Sequence, residues 1–284
     1  MTESESLKAN LGRLGLKRIA EVFEGEADRA VQLKASYSGY LGRLVEEELL
    51  AKTERSVACR IKNAHFPYSK TLESFDYAFQ PALSEVLVRE LAELGFLGRR
   101  ENIILIGPPG VGKTHLAIGL GIKACVARKR VRFFSAIELL DELTAALAVR
   151  NLVPRLEALS RLDLLIIDEL GYLPMDKPRA NLCFQLVSRC YEQNSLIVTS
   201  NKAFNQWGEV FGDEVIASAI LDRVLHHSHI IAVQATVSGC ATNERKELTG
   251  RQNDRTISRS KAAKEDGSVF SGTSGSILSG NRHD

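Results

Sequence analysis

Ile103-Ile104-Leu105-Ile106-Gly107-Pro108-Pro109-Gly110-Val111-Gly112-Lys113-Thr114-His115 is the stretch on which the class of this chain turns. The β-branched run Ile103–Ile106 reads as a strand, and the apolar pattern of His115–Arg128 reads as a helix with a basic last turn. Between them, Gly107–Thr114 matches G-x-x-x-x-G-K-[ST] in full, in the strand–loop–helix context that a phosphate-binding loop requires. Gly107, Gly110 and Gly112 let the backbone take φ > 0, so that its N–H groups converge on phosphate oxygens. The helix beginning near Lys113 adds the positive end of its dipole. Lys113 neutralises the β/γ oxygens, and the Thr114 hydroxyl is placed to ligate Mg²⁺. The expected nucleotide-binding set is therefore Gly107, Pro108, Pro109, Gly110, Val111, Gly112, Lys113, Thr114 and His115, with ATP and Mg²⁺ as the cofactors.

Downstream, Leu164-Leu165-Ile166-Ile167-Asp168-Glu169 is an apolar strand ending in two carboxylates. At the carboxyl edge of a parallel sheet both lie beside the phosphates. Asp168 is expected to hold Mg²⁺ through water, and Glu169 to act as general base on the attacking water. Adjacent acids take such different roles only if their side chains diverge. Leu196–Thr199 reads as another strand. If it lies between the other two, Asn201 at its tip reaches the γ-phosphate or the attacking water, with Ser200 a weaker candidate. Arg223 closes a helix just before the last strand, where its guanidinium could reach a neighbouring subunit's nucleotide as an arginine finger; the alternative is pairing with Asp222 or Asp213. His226, His227 and His229 fit no common zinc spacing without a cysteine or acidic partner, and read as ordinary surface or core histidines.

Further outward, strand-like runs (Val131–Phe134, His229–Val233) alternate with helical ones (Leu139–Leu147, Leu152–Leu162, Ala180–Glu192, Val215–Leu225). Apolar strands alternating with helices imply a parallel sheet covered on both faces. Residues 1–72 show helical spacing instead, at Leu7, Leu11 and Leu14 and at Leu41, Leu44, Val45 and Leu49, weakened locally by Gly39 and Gly42. His65-Phe66-Pro67 ends that pattern. From about residue 235 a Ser/Gly/Thr-rich sequence cannot bury enough apolar area to offset its ordering entropy. The fold expected is thus an α/β P-loop NTPase domain (73–234), preceded by a small all-helical domain and linker (1–72) and followed by a disordered tail (235–284).

The 284 residues carry a net charge of +2, so any nucleic-acid surface is a local cluster rather than a property of the whole field. Five scattered cysteines without a Cys-x-x-Cys pair argue against zinc or disulfide frameworks, and Cys183 and Cys190, seven apart, are expected to share one buried helix face. No apolar run approaches the roughly 20 residues that span a bilayer, and the acidic start Met1–Glu5 carries no signal-peptide pattern, so a cytoplasmic protein is expected.

Several segments together carry a family likeness: Gly107–Thr114, Asp168–Pro174, Phe184–Ser188, Thr199–Lys202, Trp207–Gly212 and Ala217–His227. Across roughly residues 8–233 the chain resembles the IstB-like transposition helper ATPases, members of the AAA+ class related to the DnaC helicase loader and the DnaA initiator. The resemblance implies an ATPase that binds DNA, oligomerises with ATP between subunits and activates a partner transposase. It also implies that Asn201 senses the γ-phosphate, that Arg223 acts in trans, and that adenine lies near Phe75-Asp76-Tyr77. A DnaC-like helicase loader and a nucleotide-gated DNA-binding scaffold with little hydrolysis are the rival readings. Candidate DNA contacts are Arg55, Arg60, Lys62 and Lys70, and Arg150, Arg155 and Arg161, all addressed to backbone with little sequence specificity. Two departures from the family stand out: Lys177-Pro178-Arg179 replaces a more acidic loop, and Gln234–Gly239 replaces a Gly-x-Ser-Tyr-Arg-like segment.

Overall fold

A computed structural model describes residues 2–78, 80 and 83–233; the tail expected from residue 235, and with it Gln234–Gly239 and Cys240, lies outside them. Three helices come first, α1 (Glu3–Arg13), α2 (Lys17–Gln32) and α3 (Tyr37–Ala64). Thr2 and Glu5 form a capping box on α1, and Ser36 caps α3, which runs through Gly39 and Gly42 without a break. It stops at His65, which turns left-handed at φ 59° two residues before Pro67. Of the apolar residues that define the helical spacing, Leu44 is buried with Ile19 and Phe23, whereas Leu7, Leu14, Leu41, Val45 and Leu49 are exposed. The start of α2 has no cap of its own. Glu48 on α3 supplies one, accepting the amides of Arg18 at 2.8 Å and Ile19 at 3.0 Å. Burial alone would raise the Glu48 carboxyl, but those two amides with Lys52 and Arg55 hold it below its usual value.

The α/β part begins with α4 (Glu85–Ala92) and α5 (Gly95–Arg99), two helices that sequence spacing did not single out. It continues with β1 (Asn102–Ile106), α6 (Lys113–Val126), β2 (Val131–Ser135), α7 (Ala136–Ala148), α8 (Leu152–Ser160) and β3 (Leu164–Leu170). Then come α9 (Lys177–Cys190), β4 (Ser195–Ser200), α10 (Trp207–Phe211), α11 (Glu214–Leu225) and β5 (Ser228–Ala232). The strands pair in parallel in the order β2-β3-β4-β1-β5. Helix α9 starts earlier than Ala180 because Asp176 caps it and Pro178 sits in its first turn, where proline's missing N–H costs nothing.

Apolar side chains fill both faces of the sheet. One face packs Leu116, Leu120 and Cys125 of α6 with Val88 and Phe96; the other packs Leu143, Leu156, Leu186, Trp207, Phe211 and Ile220, with Cys183 and Cys190 buried on α9. Each fully buried Leu or Ile contributes about 1.5–3 kcal/mol, so these two layers hold the sheet together. Helix α3 packs on β2 and α6, and its last residue, Ala64, is fully buried. Beyond it the chain crosses α6 where Gly119 and Gly121 leave room: a Cβ on either would press within 2.6 Å of Leu72 or 2.9 Å of Phe66. That crossing brings the linker to the loop after β1. No helix among the described residues is long and apolar enough to cross a membrane.

Candidate functional site

Because β4 is inserted between β1 and β3, the chain leaves the sheet in opposite directions on either side of β1, which opens a crevice at the carboxyl ends of the strands. A cavity of about 490 Å³ lies there. Its floor is the loop from Pro109 to His115, bent through Gly110 (φ 79°) and Gly112 (φ 96°) into the start of α6. Gly107 is forced by crowding as well: a Cβ there would sit 1.9 Å from the Val233 carbonyl oxygen. Lys113 is buried, its Nζ donating to the carbonyls of Gly107 at 2.8 Å and Pro108 at 2.7 Å. Burial lowers the ammonium's pKa, against the pull of Asp168 and Glu169. Phosphate oxygens are better acceptors for that ammonium than these two carbonyls.

Thr114 donates its hydroxyl to Asp168, 3.0 Å from each carboxylate oxygen. Asp168 is buried whereas Glu169 is exposed to the cavity. The divergence has a local cause. Strand β3 pairs Ile167 with Val198 and then Leu170 with Ser200, so two residues face one, and Glu169 takes the left-handed φ of 59°. The hydroxyl and carboxylate oxygens of Thr114 and Asp168 form a hard donor set suited to Mg²⁺. Asn201 lines the cavity from the end of β4, the strand between β1 and β3, and its Oδ1 is buried without a hydrogen-bond partner.

The opposite wall comes from the linker, through residues that sequence spacing did not single out. Tyr68 lines it, its phenol raised by burial and by Asp168 and further by Glu169. Phe75 stands edge-on to His115, ring centroids 5.1 Å apart, and contributes to the wall with Asp76 and Gln80. His115 itself donates Nε2–H to the Thr71 carbonyl at 2.8 Å, so it ties linker to loop. Of these residues, Phe75 and Asp76 belong to the segment that the family likeness placed near the adenine, and both line the cavity.

Lys70 also lines the cavity, its Nζ 5.9 Å from the Tyr68 ring, and so stands apart from the basic residues with which it was grouped. Arg55 pairs with Glu48 at 3.2 Å, Arg155 with Glu142 and the exposed Arg161 with Glu157 at 3.7 Å, while Lys62 and Arg150 are exposed. Arg223 is not brought to the cavity of its own chain. Its guanidinium donates to Ala219 O at 2.9 Å and lies over the Phe184 ring at 4.8 Å, while Asp213 caps α11 and pairs with Lys177 at 3.7 Å. The histidines do have an acidic neighbour, contrary to the reading of their spacing. Exposed Glu192, distant in sequence, brings a carboxylate oxygen within 4.8 Å of ring nitrogens of His226 and His227.

A family model for the IstB-like ATP binding protein matches residues 9–243. The chain is 45% identical, over 80% of its length and 86% of the relative's, to a protein of Pseudomonas aeruginosa described as an insertion sequence IS21 ATP-binding protein. It is 44% identical, over 77% of its length and 87% of the relative's, to the corresponding protein of insertion sequence IS5376 from Geobacillus stearothermophilus. Among solved structures, the replication initiator DnaA bound to AMPPCP and single-stranded DNA superposes with a TM-score of 0.50 at 20% identity. That superposition covers 60% of this chain and 51% of the other, and it is a likeness of fold.

Proposed function

Since the chain belongs to the family of IstB-like ATP-binding proteins, we propose that it is a transposition helper ATPase: it hydrolyses ATP, assembles on DNA and activates a partner transposase. The observation that carries the enzymatic part is the convergence, in one cavity, of the Gly107–Thr114 loop, the Thr114–Asp168 pair and the exposed Glu169. Lys113 and the loop amides bind the triphosphate, leaving the scissile phosphate beside Glu169. Thr114 and Asp168 would hold Mg²⁺, which supplies charge neutralisation at the phosphates. Glu169 takes the proton from the attacking water. Asn201 donates its Nδ2–H to the γ-phosphate, and its otherwise unpartnered Oδ1 accepts a hydrogen bond from the attacking water.

In this reading residues 1–72 form the helical domain and linker, and residues 73–234 the ATPase domain. ATP lies between subunits, with Arg223 presented to the neighbour's nucleotide, in keeping with its distance from its own cavity. DNA is held through backbone phosphates by exposed cations such as Lys62, Arg150 and Arg161, so affinity falls steeply with salt. The insertion-sequence origin of the relatives supports the transposase as the partner.

The test is ATP turnover with and without duplex DNA in the wild type and in Glu169→Gln. Expected are DNA-stimulated turnover in the wild type and a loss of about 10²-fold or more in the variant, with ATP binding kept. Equal turnover in the two proteins removes Glu169 from its role, and indifference to DNA removes the assembly on DNA.

A further inference from the structure

Thr199 entered the sequence reading as part of a strand and of the Thr199–Lys202 segment, with no role of its own, yet its hydroxyl joins the two acidic residues of the site. Its side chain is 1% exposed, on β4, opposite the irregularity in β3. Because Ile167 pairs with Val198 and Leu170 with Ser200, Asp168 and Glu169 together face Thr199 alone. The Thr199 Oγ1 donates to Asp168 Oδ1 at 2.6 Å and accepts the Glu169 amide at 2.9 Å. A hydroxyl can do both at once, being one donor and two acceptor lone pairs. Asp168 is thereby turned inward to Thr114, while the Glu169 backbone is kept at the left-handed φ of 59° that turns its carboxylate out to the cavity. Such a φ is unfavourable for a residue with a Cβ and persists only where the surroundings over-determine it.

We propose that Thr199, which lies in the cavity wall, is a positioning residue that sets the divergence between Asp168 and Glu169, and so aims the general base. The proposal rests on the hydrolytic reading above. It assigns β4 a second task besides carrying Asn201: through one buried hydroxyl, a shift of β4 relative to β3 is transmitted to both carboxylates. Valine in place of Thr199 keeps the shape and loses both hydrogen bonds; serine keeps the hydroxyl and loses only a methyl group.

The experiment compares the full-length wild type with Thr199→Val, Thr199→Ser, Glu169→Gln and the Thr199→Val/Glu169→Gln double variant, measuring ATP affinity and kcat for each. Misplacing a reacting group by 1 Å can cost about 10²-fold in rate, so Thr199→Val is expected to lose between about tenfold and 10²-fold in kcat, with ATP affinity little changed. Thr199→Ser is expected to recover most of the rate. On the Glu169→Gln background, Thr199→Val is expected to cost less than it does in the wild type, since there is no base left to aim and only the contact with Asp168 remains to be lost. Wild-type kcat in Thr199→Val, no recovery in Thr199→Ser, or losses that multiply in the double variant each overturn the proposal. If Thr199→Val fails to unfold cooperatively, Thr199→Ala, which removes the hydroxyl without adding bulk, carries the same comparison. A wild type that binds ATP without turning it over withdraws the hydrolytic reading and this proposal with it. Wild-type turnover matched by Thr199→Val withdraws the role of Thr199 alone.

Discussion

The Thr114 hydroxyl lies 3.0 Å from both oxygens of the Asp168 carboxylate, bridging the first turn of α6 to the end of β3. These residues are 54 apart in the chain, and the parallel sheet is what makes them neighbours: β4 fills the gap between β1 and β3 and sets the distance across the crevice. The loop end and the acidic end of the site are therefore joined through one hydroxyl, so substitutions there act through geometry as well as charge.

Gly112→Ala is expected to weaken ATP binding more than Gly110→Ala. Both positions have φ > 0, at 96° and 79°, where an L-residue costs about 1–2 kcal/mol. Only at Gly112 would the new Cβ also collide, 2.8 Å from Phe75 Cε2, whereas nothing lies within 4 Å of the Gly110 position. Titration of each variant with ATP checks this; equal affinities would show that the packing of Phe75 on the loop has no bearing on the nucleotide.

Arg223→Ala is expected to bind ATP normally and hydrolyse it poorly, because its guanidinium lies over Phe184 and away from its own cavity. Mixed with Lys113→Ala, which retains Arg223 but lacks the phosphate lysine, it should regain part of the wild-type turnover by supplying an intact loop to an intact arginine. A mixture no more active than its components contradicts a site shared between subunits.

Much of this was legible in the sequence, and the reasons are physical. The loop at Gly107–Thr114 is contiguous and its motif positions Gly107, Gly112, Lys113 and Thr114 are the residue types a phosphate cradle needs, so it can be read without tertiary information. The inner strands β1, β3 and β4 are equally plain, since strands buried on both faces appear as apolar runs, whereas the edge strands β2 and β5 carry Arg132 and His229. The bulge at Glu169 and the role of Thr199 were not legible, because they depend on the register of β3 against β4. Tyr68 and Gln80 of the linker wall escaped notice for a similar reason, and Phe75 was placed near the adenine by the family likeness alone: the crossing depends on the room left by Gly119 and Gly121, far away in the chain. Helix α4 is short, and its two buried residues, Val88 and Leu91, give too brief a pattern to stand out.

Glu48→Ala is expected to destabilise the junction of α2 and α3 by about 1–2 kcal/mol at neutral pH, the usual loss for a helix cap. The folded-state pKa of Glu48 lies below the unfolded value of 4.5, so its contribution is complete above that value and is lost as pH falls through the folded pKa. Thermal unfolding of the wild type and the variant should therefore differ at pH 7 and converge in acid. A difference that stays constant down to acid pH would mean that Glu48 acts through packing alone.

Calorimetric titration of ATP at millimolar Mg²⁺ into the wild type and into Lys113→Ala tests the central claim most directly. The account predicts saturable heat from the wild type and none from the variant, with both proteins unfolding cooperatively. No heat from the wild type, or the same heat from Lys113→Ala, would contradict it.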